Sequence, residues 1–180
     1  MGGCTYSLKA VETSRILVAR SANLGFVKVV GRGSFQNSGC LKTFYLQLLK
    51  DHVDKFVIDL DACTYLDSTF LGILLGLGLK LRAAGNGLLQ ILNASPRNVE
   101  LLKNLGLDRL ISIDAKREDI EGVADKNLEQ LHCPVQTKAE AGPTILEAHE
   151  ALMAFDPRNV PKFKDVVEFL REDLGQTVAS

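Results

Sequence analysis

Asp67, Ser68 and Thr69 stand where a strand-like segment, Phe56 to Leu60, and a short loop give way to an apolar run from Phe70 to Leu79. A carboxylate followed by two hydroxyls at a strand-to-helix turn suits two kinds of chemistry. The carboxylate can cap the helix, accepting from the backbone N–H of Thr69 or Phe70. The Ser68 hydroxyl can carry a phosphate, because the first turn of a helix holds unpaired N–H groups and partial positive charge that stabilise an anion. The same triplet also suits a plain helix start.

Other chemistry has little support. The three histidines, His52, His132 and His149, are scattered, with no metal-spaced neighbour and no evident serine or cysteine nucleophile arrangement. Each is expected at the surface or at an element end. No P-loop, GxSxG or dinucleotide fingerprint follows a strand. The chain is therefore expected to be non-enzymatic, with no cofactor and no metal. The four cysteines, Cys4, Cys40, Cys63 and Cys133, form no CxxC pair. They are expected as reduced, mostly structural thiols of a cytoplasmic protein.

The N-terminus lacks a basic segment followed by an apolar one, so no secretory signal is expected. Met1 Gly2 Gly3 begins like a myristoylation site, but Tyr6 occupies the position that needs Ser or Thr. The Phe70–Leu79 run is about half of the ~20 residues that a membrane span requires. Gly72 and Gly76 within it are expected to let the helix lie close to a sheet or a partner.

A length of 180 residues at 46% hydrophobic composition fits one domain with an appendage. Residues 1–113 hold 13 Lys+Arg and 8 Asp+Glu, a balance of +5, and residues 114–180 hold 8 and 14, a balance of −6. Independently solvated faces are the first expectation for this separation, and docking of the acidic tail on the basic body is the alternative. The net charge of −1 gives no global field for nucleic acid.

Two β-rich runs, Arg15–Ala19 and Gly25–Val30, read as an antiparallel hairpin. Helical spacing of Leu41, Phe44, Tyr45, Leu48 and Leu49 predicts a helix from about Gln36 to Asp51. Lys55–Leu60 and Leu88–Leu92 read as buried parallel strands. Ser95 and Pro96 open a helix that Gly106 ends. Leu110–Ile113 is a last short strand, with a polar helix from about Arg117 to Leu131 behind it. The succession ββαβαβαβα predicts an α/β fold: a single mainly parallel sheet with an antiparallel edge strand and helices packed against it. A linker from Cys133 to Pro143 then leads to a C-terminal helical extension, one helix over about Thr144–Phe155 and a second with Phe163, Val166, Val167, Leu170 and Leu174 on one stripe. The expected division is an N-terminal segment over 1–14, a domain over 15–131 and the extension over 132–180.

Within this order, Asp67 Ser68 Thr69 Phe70 Leu71 Gly72 Ile73 Leu74 resembles the DS[ST]GLGxL signature of anti-sigma factor antagonists, the STAS domain. The hairpin ending at Gly31, the Phe56–Asp61 strand, the Asn93–Pro96 loop and the Leu105 Gly106 Leu107 element fall in matching places. The resemblance covers about Arg15 to Leu131. It implies a small non-catalytic switch protein with Ser68 as phosphoacceptor and Thr69 as the alternative. It also implies two partners, a GHKL-type serine kinase that is often itself the anti-sigma factor, and a type-2C phosphatase. One departure stands out: Phe70 replaces the usual glycine, and its ring is expected either in the core or widening an apolar docking patch.

The docking face expected around unmodified Ser68 comprises Arg32, Ser34, Asn37, Phe70 and Ser95. Ser68→Asp is expected to weaken partner binding with little change in the thermal midpoint. Two further readings use the same fold: a non-phosphorylated scaffold or accessory subunit of a transport or signalling complex, and a small-molecule sensor with a pocket near Arg32 and Ser95. The terminal helices are expected to pack on the body, with a homodimer as the alternative.

Overall fold

The computed structural model describes residues 14–85, 87–113 and 127–175. β1 (Arg15–Ser21) and β2 (Leu24–Gly33) form the antiparallel hairpin, paired from Arg15↔Val30 to Ser21↔Leu24. β2 then runs parallel to β3 (Lys55–Asp59), β3 to β5 (Leu88–Leu92), and β5 to β6 (Ser112–Ile113). The strand order is β6-β5-β3-β2-β1-β7, where β7 is Glu129–Gln130, and the sheet holds two short strands that the sequence pattern does not announce.

The first of these is β4 (Cys63–Leu66), which pairs parallel with the far end of β2 and delivers the chain directly to Asp67. The second is β7 (Glu129–Gln130), antiparallel to β1. It corrects the end of the polar helix expected over Arg117–Leu131, whose earlier part lies mostly outside the described residues. The open edge of β1 offers unpaired backbone groups, and the Leu131 N–H donates to Ile16 O at 2.8 Å.

α1 (Phe35–Lys50) and α2 (Ser68–Ala83) cover one face of the sheet, where Leu41, Tyr45, Phe56, Phe70, Leu74 and Leu81 form the main core. Alternation along β2 turns Leu24 and Phe26 to the opposite face, where they cluster with Val57 and Leu92. α3 (Pro96–Asn104) starts at Ser95, whose Oγ accepts from the Asn98 N–H at 3.2 Å.

α4 (Lys138–Phe155) begins well before the expected Thr144, so most of the presumed linker is helix. Thr137 and Glu140 build a capping box, with Thr137 N–H donating to Glu140 Oε2 at 2.8 Å and Glu140 N–H to Thr137 Oγ1 at 3.3 Å. Pro143 lies in the second turn, where its missing N–H forgoes a single intrahelical bond. A 3-10 turn, Pro157–Asn159, separates α4 from α5 (Val160–Asp173).

The extension is docked on the body, not solvated independently of it. Ala148 and Leu152 join the main core, and Phe163 packs against it. Ion pairs Lys42–Glu147 and Arg109–Asp156 tie acidic extension to basic body. Asn159, fully buried, donates to Leu105 O at 3.1 Å and to Leu152 O at 3.0 Å. On α5, Val167 is buried, whereas Val166 is exposed and falls off the packed stripe.

The expectation of reduced thiols is corrected at one pair. Cys40 of α1 and Cys133, just beyond β7, form a disulfide with Cα atoms 5.4 Å apart across a sequence separation of 93. Such a distant pair has no local spacing signal. Cys63 is a free buried thiol whose pKa burial pushes up. Cys4 lies outside the described residues. Among the described residues no helix is long and apolar enough to cross a membrane.

Candidate functional site at the Ser68 turn

β4 ends at Leu66, and the Asp67 N–H donates to Gly33 O at 3.0 Å, fixing the turn against β2. Asp67 is the N-cap of α2, with its two carboxylate oxygens divided between two helices. Oδ1 accepts from the Phe70 N–H of α2 at 2.9 Å, and Oδ2 accepts from the Phe35 N–H of α1 at 2.9 Å. One negative charge thus faces two positive helix ends, which offsets it locally.

Ser68 is the first helical residue and is half-buried. Its Oγ lies 2.8 Å from Nε2 of His149, which projects from α4 and is itself buried. The other ring nitrogen, Nδ1, is 2.8 Å from Ile145 O. A carbonyl only accepts, so Nδ1 carries the proton and Nε2 of the neutral ring accepts the Ser68 hydroxyl hydrogen. The ring also stands edge-on to Phe163 of α5, with centroids 4.9 Å apart.

His149 is the residue that the sequence reading misplaces at the surface or an element end. A signal existed: it shares a helical stripe with Leu146 and Leu152, both buried, and a histidine on such a stripe needs a hydrogen-bond partner.

Beside Ser68 opens a cleft of about 390 Å³ walled by Ser68 and Leu71 of α2, Arg97 and Leu101 of α3, and Lys162 and Phe163 of α5. A larger hollow of about 710 Å³ around Cys40 and Gln136 does not include Ser68, and it lacks the hydroxyl–imidazole pair.

The remaining site residues divide by burial. Arg32 is exposed, and its guanidinium lies 4.5 Å from the centroid of the Tyr65 ring, which also borders the cleft. Ser34 is half-buried, and its N–H donates to Asn37 Oδ1 at 2.8 Å. Asn37 is buried and donates from Nδ2 to Arg32 O at 2.7 Å, so it braces the start of α1 and presents no docking surface. Ser95 is exposed and caps α3. Thr69 is buried at 4% exposure, which leaves Ser68 as the accessible hydroxyl of the pair. Phe70 is fully buried, so of its two expected placements the core is the one observed, and it adds nothing to an outer patch.

Among the described residues, no group of three His, Cys, Asp or Glu side chains could hold a metal ion. A comparison with curated protein sequences finds no match. Solved structures do match. An anti-sigma factor antagonist from Mycobacterium paratuberculosis is 23% identical with a TM-score of 0.52, over 62% of this chain and 94% of that one. The anti-sigma factor antagonist SpoIIAA, in its unphosphorylated form, is 16% identical with a TM-score of 0.51, over 61% of this chain and 99% of that one. The TM1081 protein of Thermotoga maritima is 16% identical with a TM-score of 0.52, over 57% and 87%. At these identities the likeness establishes the fold. The family model described as "Mlab, STAS domain" matches residues 16–112, from β1 to the start of β6, and by that match over more than half of its length the chain belongs to the STAS domain family.

Proposed function

We propose that this protein is a phospho-switch that acts by binding, not by catalysis, with Ser68 as the acceptor and an anti-sigma factor that is also a GHKL-type serine kinase as the partner. A type-2C phosphatase restores the unmodified form. The observation that carries the reading is the placement of the Ser68 hydroxyl: it lies at the first position of a helix, on the wall of an open cleft, beside a carboxylate whose charge two helix ends already offset. Phosphorylation adds roughly −1.5 to −2 charge at that point. A partner fitted to a neutral hydroxyl then meets repulsion and a desolvation cost, and leaves.

The extension modifies what a mimic does. Because Oγ meets His149, Ser68→Asp also disturbs the α2–α4 contact, so its thermal midpoint moves along with its affinity. Ser68→Ala is the constitutive binder, and it too loses the bond to His149, so its midpoint is measured beside its affinity. The setting proposed is the cytoplasm, where the Cys40–Cys133 bond is open to reduction. Mass spectrometry of the chain recovered from its own cells, and after reaction with the cognate kinase, is expected to place phosphate on Ser68. A chain free of phosphate at Ser68 in both samples overturns the proposal.

The Ser68–His149 bond also favours a second reading, a non-phosphorylated scaffold or accessory subunit in which α4 permanently occupies the hydroxyl. Co-purification with a membrane complex, with no phosphorylated form in cells, selects it.

A further inference from the structure

We propose that the cleft between α2, α3 and α5 is a phosphate-binding site that acts in cis, holding the phosphate of phosphorylated Ser68 between His149, Arg97 and Lys162. The proposal deepens the switch reading and rests on it for the phosphate's being made in the cell.

Space, charge and proton position each support this. Ser68 forms part of the wall of the roughly 390 Å³ cleft, so a phosphoryl group has room to turn into it without displacing α4. Two cations line the same space. Arg97 is exposed and makes no hydrogen bond or ion pair among the described residues. Among the described residues Lys162 Nζ donates only to neutral oxygens, Asn104 O at 2.8 Å and Asn159 Oδ1 at 3.1 Å. The nearby negative charge, Asp67, already accepts from Phe35 and Phe70 on both oxygens.

His149 supplies the remaining ligand through the transfer itself. With ATP as donor, the Ser68 Oγ–P bond forms, the bond from the γ-phosphorus to ADP breaks, and the hydroxyl proton must leave. Nε2, 2.8 Å from Oγ and accepting that hydrogen, takes it. The ring becomes an imidazolium that keeps Nδ1–H on Ile145 O and turns Nε2–H toward a phosphate oxygen. The acceptor of the unmodified state becomes the donor that the modified state needs. α4 and α5 are then drawn onto α2, so the extension reads the phosphate that the domain carries.

The test uses the full chain with phosphoserine encoded at position 68, compared with unmodified protein by thermal midpoint and by amide exchange in α4 and α5. Phosphoserine is expected to raise the midpoint by about 2–4 °C and to slow exchange in both helices. Arg97→Gln is expected to remove at least half of that rise and to leave the midpoint of the unmodified chain within about 2 °C. Lys162→Gln is the second variant, its rise taken against its own unmodified chain because it also loses the bonds to Asn104 O and Asn159 Oδ1. A lowered midpoint with faster exchange in α4, or a rise that neither variant reduces, overturns the proposal. Inorganic phosphate titrated into unmodified chain is expected to give no saturable shift. A saturable shift lost in Arg97→Gln assigns the cleft to a diffusible phosphate and overturns the assignment in cis. Encoded phosphoserine needs no kinase, so failure of this site and failure of the switch reading give different results.

Discussion

Gly72 of α2 backs directly onto Ala148 of α4: a Cβ placed on Gly72 would stand 2.5 Å from the Ala148 carbonyl oxygen and 2.7 Å from its Cβ. The obstacle is backbone, which cannot swing aside. Gly72→Ala therefore forces α4 off α2, one turn along from the Ser68–His149 bond, at about 1–3 kcal/mol. Gly76 differs, since a Cβ there meets only Tyr45 Oη at 3.6 Å. Gly76→Ala gains helix propensity and is expected to stabilise by up to about 1 kcal/mol. Urea denaturation of the two variants checks both signs, and equal effects would refute the close-contact account.

Asp67 offers a second test through its divided carboxylate. Asp67→Ala orphans the Phe70 N–H and the Phe35 N–H together, at the starts of two helices, and is expected to cost about 2–4 kcal/mol. Asparagine retains one carbonyl acceptor but turns an NH₂ donor toward the other N–H. Asp67→Asn is therefore expected to recover about half of the loss. Denaturant midpoints of the two variants check the ratio, and full recovery by asparagine would show that only one of the two bonds matters.

The difference between these sites explains how much the sequence made legible. The cap at Asp67, the helix behind it and the parallel strands around it are local or periodic patterns, and the fold class follows from their order. Short strands β4 and β7 carry no pattern of their own, because pairing with β2 and β1 decides them. His149 and Ser68 lie 81 residues apart, and Cys40 and Cys133 lie 93 apart. Only tertiary packing joins such pairs, so the buried partner of the Ser68 hydroxyl and the disulfide were both illegible as contacts. Phe70 shows a milder case: its two alternative placements, core and patch, differ only in how α2 rolls on the sheet.

The disulfide ties α1 to the segment that leads into α4, and so restrains the extension that meets Ser68 through His149. Closing a loop of this length removes unfolded-state entropy worth about 2–5 kcal/mol. Replacing both Cys40 and Cys133 by alanine is expected to lower stability by that order and to speed amide exchange in the first turns of α4. Treating the native chain with a dithiol should reproduce the change. If reduction leaves the thermal midpoint where it was, the bond does not constrain the docked extension.

Acid is expected to loosen the same extension from its other end. The side-chain hydrogen bonds from Arg158 hold the Asp156 carboxyl at about 2, below its ordinary 3.8, with burial opposing and the Arg109 charge assisting. A depressed folded pKa means that the folded chain binds fewer protons than the unfolded one. The stabilisation is therefore complete above the ordinary value and is lost as pH falls from there through about 2. Asp156 also caps the 3-10 turn through the Arg158 N–H at 3.0 Å and pairs with Arg109 of the body, so its protonation frees both the α4–α5 junction and its tether. Asp156→Asn should be less stable than the native chain near neutrality, and thermal midpoints taken from about pH 5 downward should converge as the native carboxyl is protonated. Parallel curves for the two proteins would assign the acid sensitivity to other carboxylates and leave the junction as ordinary packing.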